Sequence, residues 1–205
     1  MTPDEFPAYA EPVGVLVSGG ADSALMLYCV LKKCTGPIHV FTITNNKKGM
    51  FNTRASLDVI RRCIELTGNT RVEQHVFYRE AQQRSDFYDI ADLYKSRGLV
   101  NHVFMGITAN PPLEVLDTFT CELPNNIIEM RDPGIIREEY PDSGFILPWI
   151  NTNKKQIADY YQSLDLIESL YKITRSCEDP HNKFTRPCGR CYWCEERLWG
   201  FGRLT

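Results

Sequence analysis

Residues 18–23 of this 205-residue chain read Ser-Gly-Gly-Ala-Asp-Ser, which places two adjacent glycines, two hydroxyls and a carboxylate within six positions. The apolar run Val13 to Val17 precedes them and is typical of a strand buried on both faces of a parallel sheet. The pattern of Ala24 to Lys33, which follows, predicts a helix. Glycines let backbone N–H groups approach a ligand, and a helix N-terminus adds unpaired donors and partial positive charge. A tight turn without a ligand would also suit glycine, but the whole pattern favours a nucleotide phosphate site.

A second group of chemically competent residues lies near the C-terminus. Cys177 is followed by Cys188, Cys191 and Cys194, with Gly189 fitting the tight turn between two of them. Four thiolates can close a tetrahedral Zn²⁺ site, and here protein side chains would fill every position. We therefore interpret the cluster as a structural zinc site. A [4Fe–4S] cluster, which also suits C-x-x-C-x-x-C with one distant cysteine, and plain buried thiols stay open as alternatives.

The other cysteines are isolated. Cys29 and Cys63 lie on predicted helix faces and are expected to be small core residues, and Cys34 and Cys121 have no partner by spacing. His181 is a conceivable replacement ligand for the cluster, although a lone loop histidine is more often simply exposed.

Composition bounds the class of protein. Hydrophobic residues make up 43% and charged residues 24%, as in ordinary globular chains, and the net charge of −3 gives no bulk signal for nucleic-acid binding. The polar, acidic N-terminus does not read as a signal peptide, and no apolar run approaches the roughly 20 residues of a membrane helix. We expect a cytoplasmic protein without membrane attachment, in which eight cysteines indicate metal binding or catalysis and not disulfides.

Strand and helix patterns alternate along the chain. Further strands are predicted at Ile38 to Thr44, Val72 to Tyr78 and His102 to Thr108, and further helices at Arg54 to Thr67, Phe87 to Ser96 and Asn153 to Leu164. This alternation predicts an α/β fold with a mostly parallel sheet covered by helices on both faces. Ligands of such sheets bind beyond the carboxyl ends of the strands, so the loops after Val17, Thr44 and Gly106 should line one crevice. Thr44 and Gly106 are therefore candidate nucleotide-binding residues.

Two regions frame the predicted domain organisation. Residues 109–146 contain scattered prolines and weak periodicity, which indicates a long active-site loop with short helices. Residues 1–165 are predicted to form the nucleotide-binding α/β domain, with 166–205 as a small metal-binding helical appendage packed on it.

The stretch Ser18 to Ser23 matches the SGGxDS signature of the PP-loop ATP pyrophosphatases, and the chain resembles that superfamily. It has neither the Gly-Lys-Thr/Ser of a Walker A loop nor the Gly-x-Gly-x-x-Gly of dinucleotide folds. The resemblance implies a HUP-like fold (adenine nucleotide alpha hydrolase-like) and cleavage of ATP between the α- and β-phosphates. It implies that Ser18, Gly19, Gly20 and Ser23 cradle pyrophosphate while Asp22 helps to hold Mg²⁺. Lys154 matches a lysine that such enzymes aim at phosphate, with a solvated surface lysine as the alternative.

Together, the SGGxDS loop and the cysteine cluster resemble the 7-cyano-7-deazaguanine synthase family, called QueC. Leu147-Pro-Trp149, the helix from Lys154 and the Thr174-Arg-Ser-Cys177 segment extend the resemblance. It implies a ligase that uses ATP, Mg²⁺ and a Zn²⁺ site to adenylate the carboxylate of a 7-deazaguanine. Ammonia would then give the amide, and a second activation would give the nitrile. Homodimers are common in such relatives.

The middle of the chain departs from that family. The Phe-x-Pro-x-Arg-Asn stretch is missing near Tyr78 to Asp92, and Asn45 to Met50 lacks the Gly-Gln-Arg/Lys-His pattern. The acceptor therefore stays open, and Arg54 is a candidate for a carboxylate or phosphate contact or an exposed helix residue. One rival interpretation is a PP-loop enzyme that thiolates tRNA or a nucleobase, although the basic surface that tRNA favours is missing from the composition. Another is a nucleotide-binding protein that has lost turnover.

Overall fold

A computed structural model of the protein describes residues 1–45, 49–79, 85–135, 144–179 and 186–205. The polar loop at 46–48, part of the predicted 109–146 loop and His181 lie outside the described residues. Within them, five parallel strands form one sheet in the order β3-β2-β1-β4-β5. The strands are β1 (Val13–Leu16), β2 (Ile38–Asn45), β3 (Val72–Arg79), β4 (His102–Phe104) and β5 (Phe145–Ile146).

Seven α-helices whose bounds both lie inside the described residues accompany the sheet. They are α1 (Ala21–Lys33), α2 (Gly49–Thr67), α3 (Ser85–Ser96), α4 (Leu113–Leu116), α5 (Ile127–Met130), α6 (Lys154–Ser163) and α7 (Tyr192–Phe201). Single 3₁₀ turns occur at Pro3–Glu5 and Tyr171–Ile173. None of these helices is long and apolar enough to cross a membrane.

The central strand β1 explains why the sheet has two covered faces. Val13 and Val15 pack into the apolar core that includes α1, α2 and α6, and Leu16 packs with Phe41 and α3 residues such as Ile90 in a second core. All four residues of β1 are buried, as its β-branched, uncharged sequence predicts. The predicted parallel sheet with helices on both faces is confirmed. Because β1 is buried in this sheet, it fixes the position of the Ser18–Ser23 loop that follows it.

Element boundaries differ from the sequence prediction in three informative places. Helix α1 begins at Ala21 instead of Ala24, so Asp22 lies inside its first turn. Strand β4 ends at Phe104, four residues early, because the chain turns away at Gly106 toward α1. The segment 109–146, predicted as a long loop with short helices, contains the short helices α4 and α5 and also strand β5, which was not predicted.

The C-terminal part of the chain shares the apolar interior with the sheet domain. Leu166, Leu170 and Tyr171 belong to the same core as β1 and α1, and α7 packs along α6. Tyr192 of α7 forms a third apolar cluster with Leu116 of α4 and Ile127 of α5. Helix α7 therefore touches both α6 and the segment before it.

Candidate functional site

The Ser18–Ser23 loop begins just after β1 ends, and hydrogen bonds of its own serine hydroxyls hold its conformation. The Ser18 amide donates to Ser23 Oγ at 3.2 Å, and the two serine hydroxyls lie 3.2 Å apart. Ser23 Oγ donates to the Gly20 carbonyl at 3.1 Å, and Gly19 has a φ of 83°, in the left-handed region that favours glycine. Gly20 is the N-cap of α1, and no described side chain caps that helix. Its first-turn N–H groups therefore lie at the loop, as a phosphate site requires.

Three distant residues hold the carbonyls of this turn. Tyr161 Oη donates to the Ala21 carbonyl at 2.8 Å, and Trp149 Nε1 donates to the Asp22 carbonyl at 3.3 Å. The Arg175 amide donates to the Gly19 carbonyl at 2.8 Å. These three carbonyls are therefore engaged within the protein, and the backbone N–H groups of the turn are the donors left for an anion.

The neighbouring strands support the loop from the sheet side. Thr42 of β2 and Ser56 of α2 each donate a hydroxyl to the Val17 carbonyl at 3.2 Å. A Cβ at Gly106 would lie 3.2 Å from the backbone nitrogen of Ser23, so any side chain there would press on the first turn of α1. Gly106 is thus brought to the loop, and Thr44 is buried in β2 two residues beyond the Thr42 hydroxyl.

The two residues predicted to be catalytic meet directly. Lys154, at the first position of α6, forms a short ion pair with Asp22 Oδ2. Lys154 is only 5% exposed, so the alternative of a solvated surface lysine is wrong. The second carboxylate oxygen, Asp22 Oδ1, is buried and has no hydrogen-bond partner among the described residues. A buried oxygen without a donor is costly, so this one is available to a cation or a donor from a ligand.

The ion pair continues into a chain of four alternating charges. Lys154 Nζ also lies 3.7 Å from Glu196 Oε2 of α7, and Glu196 Oε1 lies 2.6 Å from Arg131 Nη1. The latter contact is an ion pair, and Glu196 Oε1 has no hydrogen-bond partner among the described residues. Glu196 is 1% exposed. We call Asp22, Lys154, Glu196 and Arg131 the charge chain; its formal charges cancel, which suits a buried position.

Arg131 fixes the far end of the charge chain. Its Nε and Nη2 donate to the Thr108 carbonyl and hydroxyl at 2.8 and 2.6 Å, and Nη2 also reaches the Ala109 carbonyl at 2.7 Å. Its Nη1 donates to Tyr192 Oη at 2.9 Å. Burial alone would lower the pKa of Arg131, but Glu196 and Tyr192 outweigh it, and the pKa is raised. The guanidinium therefore stays charged and joins the segment after β4 to α7.

The four predicted metal ligands come together at the start of α7. The sulfur atoms of Cys177, Cys188, Cys191 and Cys194 lie within 4.8 Å of one another, with Cys188 and Cys194 Sγ 3.9 Å apart. About 3.8 Å separates sulfur atoms around a tetrahedral zinc ion with bonds of about 2.3 Å. The Cys191 and Arg190 amides point at Cys188 Sγ from 3.3 and 3.5 Å. This arrangement can bind a metal.

Burial and a contact between thiols raise the pKa of two of the four cysteines. A hydrogen bond with Cys194, followed by burial, raises the pKa of Cys191, and burial raises the pKa of Cys177. Thiolates so close together repel one another, and a bound cation would remove that cost. The set therefore fits a metal ion better than it fits four free thiols.

A pair of arginines lies between the cysteine cluster and the loop. Arg197 of α7 stacks on the Tyr171 ring at 4.0 Å and donates to Ser176 Oγ at 3.3 Å. The Arg175 backbone holds Gly19, and burial followed by repulsion from Arg197 lowers the pKa of Arg175. Two neighbouring cations that disfavour each other would gain from an anion at the loop.

Comparison with known proteins gives a fold and no closer kinship. No protein-family model and no curated protein matches the chain. Among solved structures, NMN synthetase from Francisella tularensis matches with a TM-score of 0.52 and 13% sequence identity, over 97% of this chain and 79% of that one. The likeness is one of fold. The U34-tRNA thiolase NcsA from Methanococcus maripaludis with its [4Fe-4S] cluster matches at TM-score 0.47 and 13% identity, over 77% and 58% of the two chains.

Several residues of the site were not predicted from the sequence. Tyr192, Glu196 and Gly200 recur every four residues on α7, and Gly200 packs on Lys154. This spacing could have indicated the buried face of the helix. Arg131 lies in a segment without periodicity, and nothing local marks it. Arg54, a candidate for substrate contact, lies exposed on α2.

Proposed function

We propose that this protein is an ATP-dependent enzyme that splits ATP between the α- and β-phosphates and adenylates an oxygen of a small-molecule substrate. The observation that carries the proposal is the Ser18–Ser23 loop, with its hydroxyls paired, its carbonyls engaged and the uncapped start of α1 beside it. Its position beyond the carboxyl end of β1 is where open parallel sheets bind ligands.

The bonds that form and break in this reaction belong to the substrate and ATP, and the role of the protein is to position them and to stabilise charge. An oxygen of the substrate carboxylate attacks the α-phosphorus of ATP, the bond from that phosphorus to the bridging oxygen breaks, and pyrophosphate leaves with the electron pair. The N–H groups at Gly20 to Ser23 and the hydroxyls of Ser18 and Ser23 would stabilise the charge that develops on the leaving group. A nucleophile such as ammonia then attacks the activated carbonyl carbon, and AMP departs.

Lys154 and Asp22 would act at the edge of this phosphate site. Lys154 is held by Asp22 on one side and Glu196 on the other, so its ammonium has a fixed place against the first turn of α1. Mg²⁺ would supply charge neutralisation on the phosphate oxygens when it is bound. Asp22 is the residue that fits it, because the buried Oδ1 has no partner among the described residues and carboxylate oxygens are hard ligands.

The cysteine cluster is best explained as a structural Zn²⁺ site. Four protein thiols surround one point, which leaves no position for a substrate or water. Because Cys194 and Glu196 lie on the same helix, the metal would fix α7 and thereby the carboxylate that holds Lys154.

The more specific proposal is that the substrate is a 7-deazaguanine carboxylate, converted through the amide to 7-cyano-7-deazaguanine with ammonia. It rests on the motif resemblance of the loop and the cysteine cluster. A thiolation-type activity on a nucleobase or tRNA is the second candidate, because the same four thiols can also hold a [4Fe–4S] cluster. A homodimer belongs to the same set of proposals.

The experiment supplies ATP labelled in the α-phosphate together with ammonium and one acceptor at a time: the deazaguanine carboxylate, amino acids or tRNA. We expect labelled AMP and free pyrophosphate with a carboxylate acceptor. Labelled ADP in place of AMP, with every acceptor, would overturn the proposed bond cleavage.

Matched variants localise the activity to the loop. Asp22→Asn should lower pyrophosphate release by about 100-fold or more, the scale of losing one electrostatic stabiliser. Asp89→Asn on the exposed face of α3 is the control and should leave release unchanged. Ser23→Ala tests the loop without breaking the Lys154 ion pair, and circular dichroism checks folding. A visible absorption band in the purified protein would favour the cluster and hence the thiolation candidate.

A further inference from the structure

Three side chains of metal-ligand type meet at the amino ends of two neighbouring strands. His39 lies at the second position of β2, and Glu73 and His75 lie near the start of β3. The parallel register places His39 beside Glu73 and Phe41 beside His75. Because alternate residues of a strand share one face, Glu73 and His75 point to the same side of the sheet, where they meet His39.

The ligand atoms already have nearly the separations of a bound ion. His39 Nδ1 lies 3.1 Å from His75 Nε2 and 3.5 Å from Glu73 Oε2, and His75 Nε2 lies 3.8 Å from Glu73 Oε1. Nitrogen and oxygen ligands bound at about 2.0–2.1 Å in a tetrahedron are separated by about 3.3 Å. The three groups would therefore need only small movements to share one ion.

The surroundings hold the rings in the required orientation. Tyr94 Oη of α3 lies 3.0 Å from His75 Nδ1, so the ring nitrogen that does not face the other ligands has its own partner. Such second contacts fix the tautomer of metal-bound histidines. His39 is 8% exposed, while the Glu73 side chain is 68% exposed and leaves the group open to solvent.

We propose that His39, Glu73 and His75 bind one divalent transition-metal ion of the zinc class, with solvent completing the coordination. Two imidazoles and one carboxylate are a ligand set that suits such ions and not Mg²⁺ or Ca²⁺.

This site is separate from the proposed ATP site. The Ser18–Ser23 loop follows the carboxyl end of β1, whereas His39 lies beside Gly14 near the amino end of the sheet. Strand β3 is an edge strand, so the ion would tie that edge to β2. The proposal therefore stands or falls independently of the function proposed above.

The test adds Zn²⁺ stepwise to the 205-residue protein, whose cysteine cluster has been loaded first, and follows the imidazole nitrogens by NMR. The chain has only four histidines, so each can be assigned. We expect the Nδ1 signal of His39 and the Nε2 signal of His75 to shift on addition of one equivalent, while His102 on β4 stays unchanged. If a hydrogen bond between two neutral imidazoles is all that joins these rings, neither signal will move, and the proposal is overturned.

Variants measured by equilibrium dialysis assign the ligands. Glu73→Gln keeps the size of an exposed side chain, so its folding is secure, and it should weaken Zn²⁺ binding at this site about tenfold or more. Tyr94→Phe should weaken it by about tenfold through His75. Glu114→Gln, on the exposed face of α4, is the control and should bind like the unaltered protein. Equal affinity in Glu73→Gln and the control would remove Glu73 from the site.

Discussion

Helix α7 carries one member of each of two very different clusters. Cys194 belongs to the four-cysteine cluster, and two residues later Glu196 belongs to the charge chain with Asp22, Lys154 and Arg131. The four cysteines lie within 18 residues of one another, so their spacing alone predicts a metal site. The charge chain draws on residues from four separate parts of the sequence.

The difference teaches how each cluster depends on the fold. Three of the cysteines are brought together by a tight turn and one helix turn, which are local geometry. The charges are kept together only by the packing of α7 on α6 and on the segment before it, and each charge alone would be costly in that interior. The cysteine cluster is expected to fix α7, and the charge chain to carry that constraint to the Ser18–Ser23 loop.

The largest expected effect is loss of the metal from the cysteine cluster. Cys191→Ser should lose the bound metal and, with it, much of the free energy of folding. The binding of structural zinc to small peptides contributes on the order of 10 kcal/mol. Metal analysis and thermal unfolding measure the two losses. Cys121→Ser, a cysteine outside the cluster, is the control and should retain the metal. A Cys191→Ser protein as stable as its parent would show that the cluster is not structural.

A smaller but large effect is expected from the centre of the charge chain. Glu196→Gln keeps the shape but leaves Arg131 buried without its counter-charge, at a cost of about 3–5 kcal/mol of unfolding free energy. Urea unfolding measures the change. Glu65→Gln, in an exposed pair with Arg62, is the matched control and should cost at most about 1 kcal/mol. Equal changes in the two variants would contradict the idea that the charge chain holds α7.

The smallest effect concerns Cys29, a cysteine of the apolar core that lies outside the cysteine cluster. Burial raises the pKa of the Cys29 thiol from 9.0 to about 12, so the folded protein keeps a proton that the unfolded chain releases. The stability that this proton contributes is complete below pH 9 and is lost progressively as the pH rises from 9 toward 12.

Cys29→Ala should therefore remove about 1 kcal/mol of the fall in unfolding free energy between pH 9 and 10, measured by urea titrations at each pH. Its cavity cost is the same at every pH and cancels in that difference. Identical pH profiles for Cys29→Ala and its parent would mean that this thiol is not protected by burial.

The sheet and the position of the Ser18–Ser23 loop at the end of β1 were predictable for physical reasons that act locally. An apolar β-branched run between turns favours a buried strand, and all four residues from Val13 to Leu16 are buried in the sheet. The exact start of α1 was missed because Asp22 and Ser23 have low helix propensity and Ala21 directly follows two glycines; the Gly20 N-cap and the hydrogen bonds of Tyr161 and Trp149 decide it. Boundaries depend on such tertiary contacts.

The sequence by itself determined the class of fold, the loop that suits a phosphate and the four thiols that suit a metal, because each is encoded by neighbours in the chain. Only the tertiary structure decided that Lys154 is buried against Asp22, that Glu196 and Arg131 extend this pair, and that His39 meets Glu73 and His75. Buried charges and paired strands obtain their partners from distant segments, and the free energy that selects those partners exists only once the core has formed.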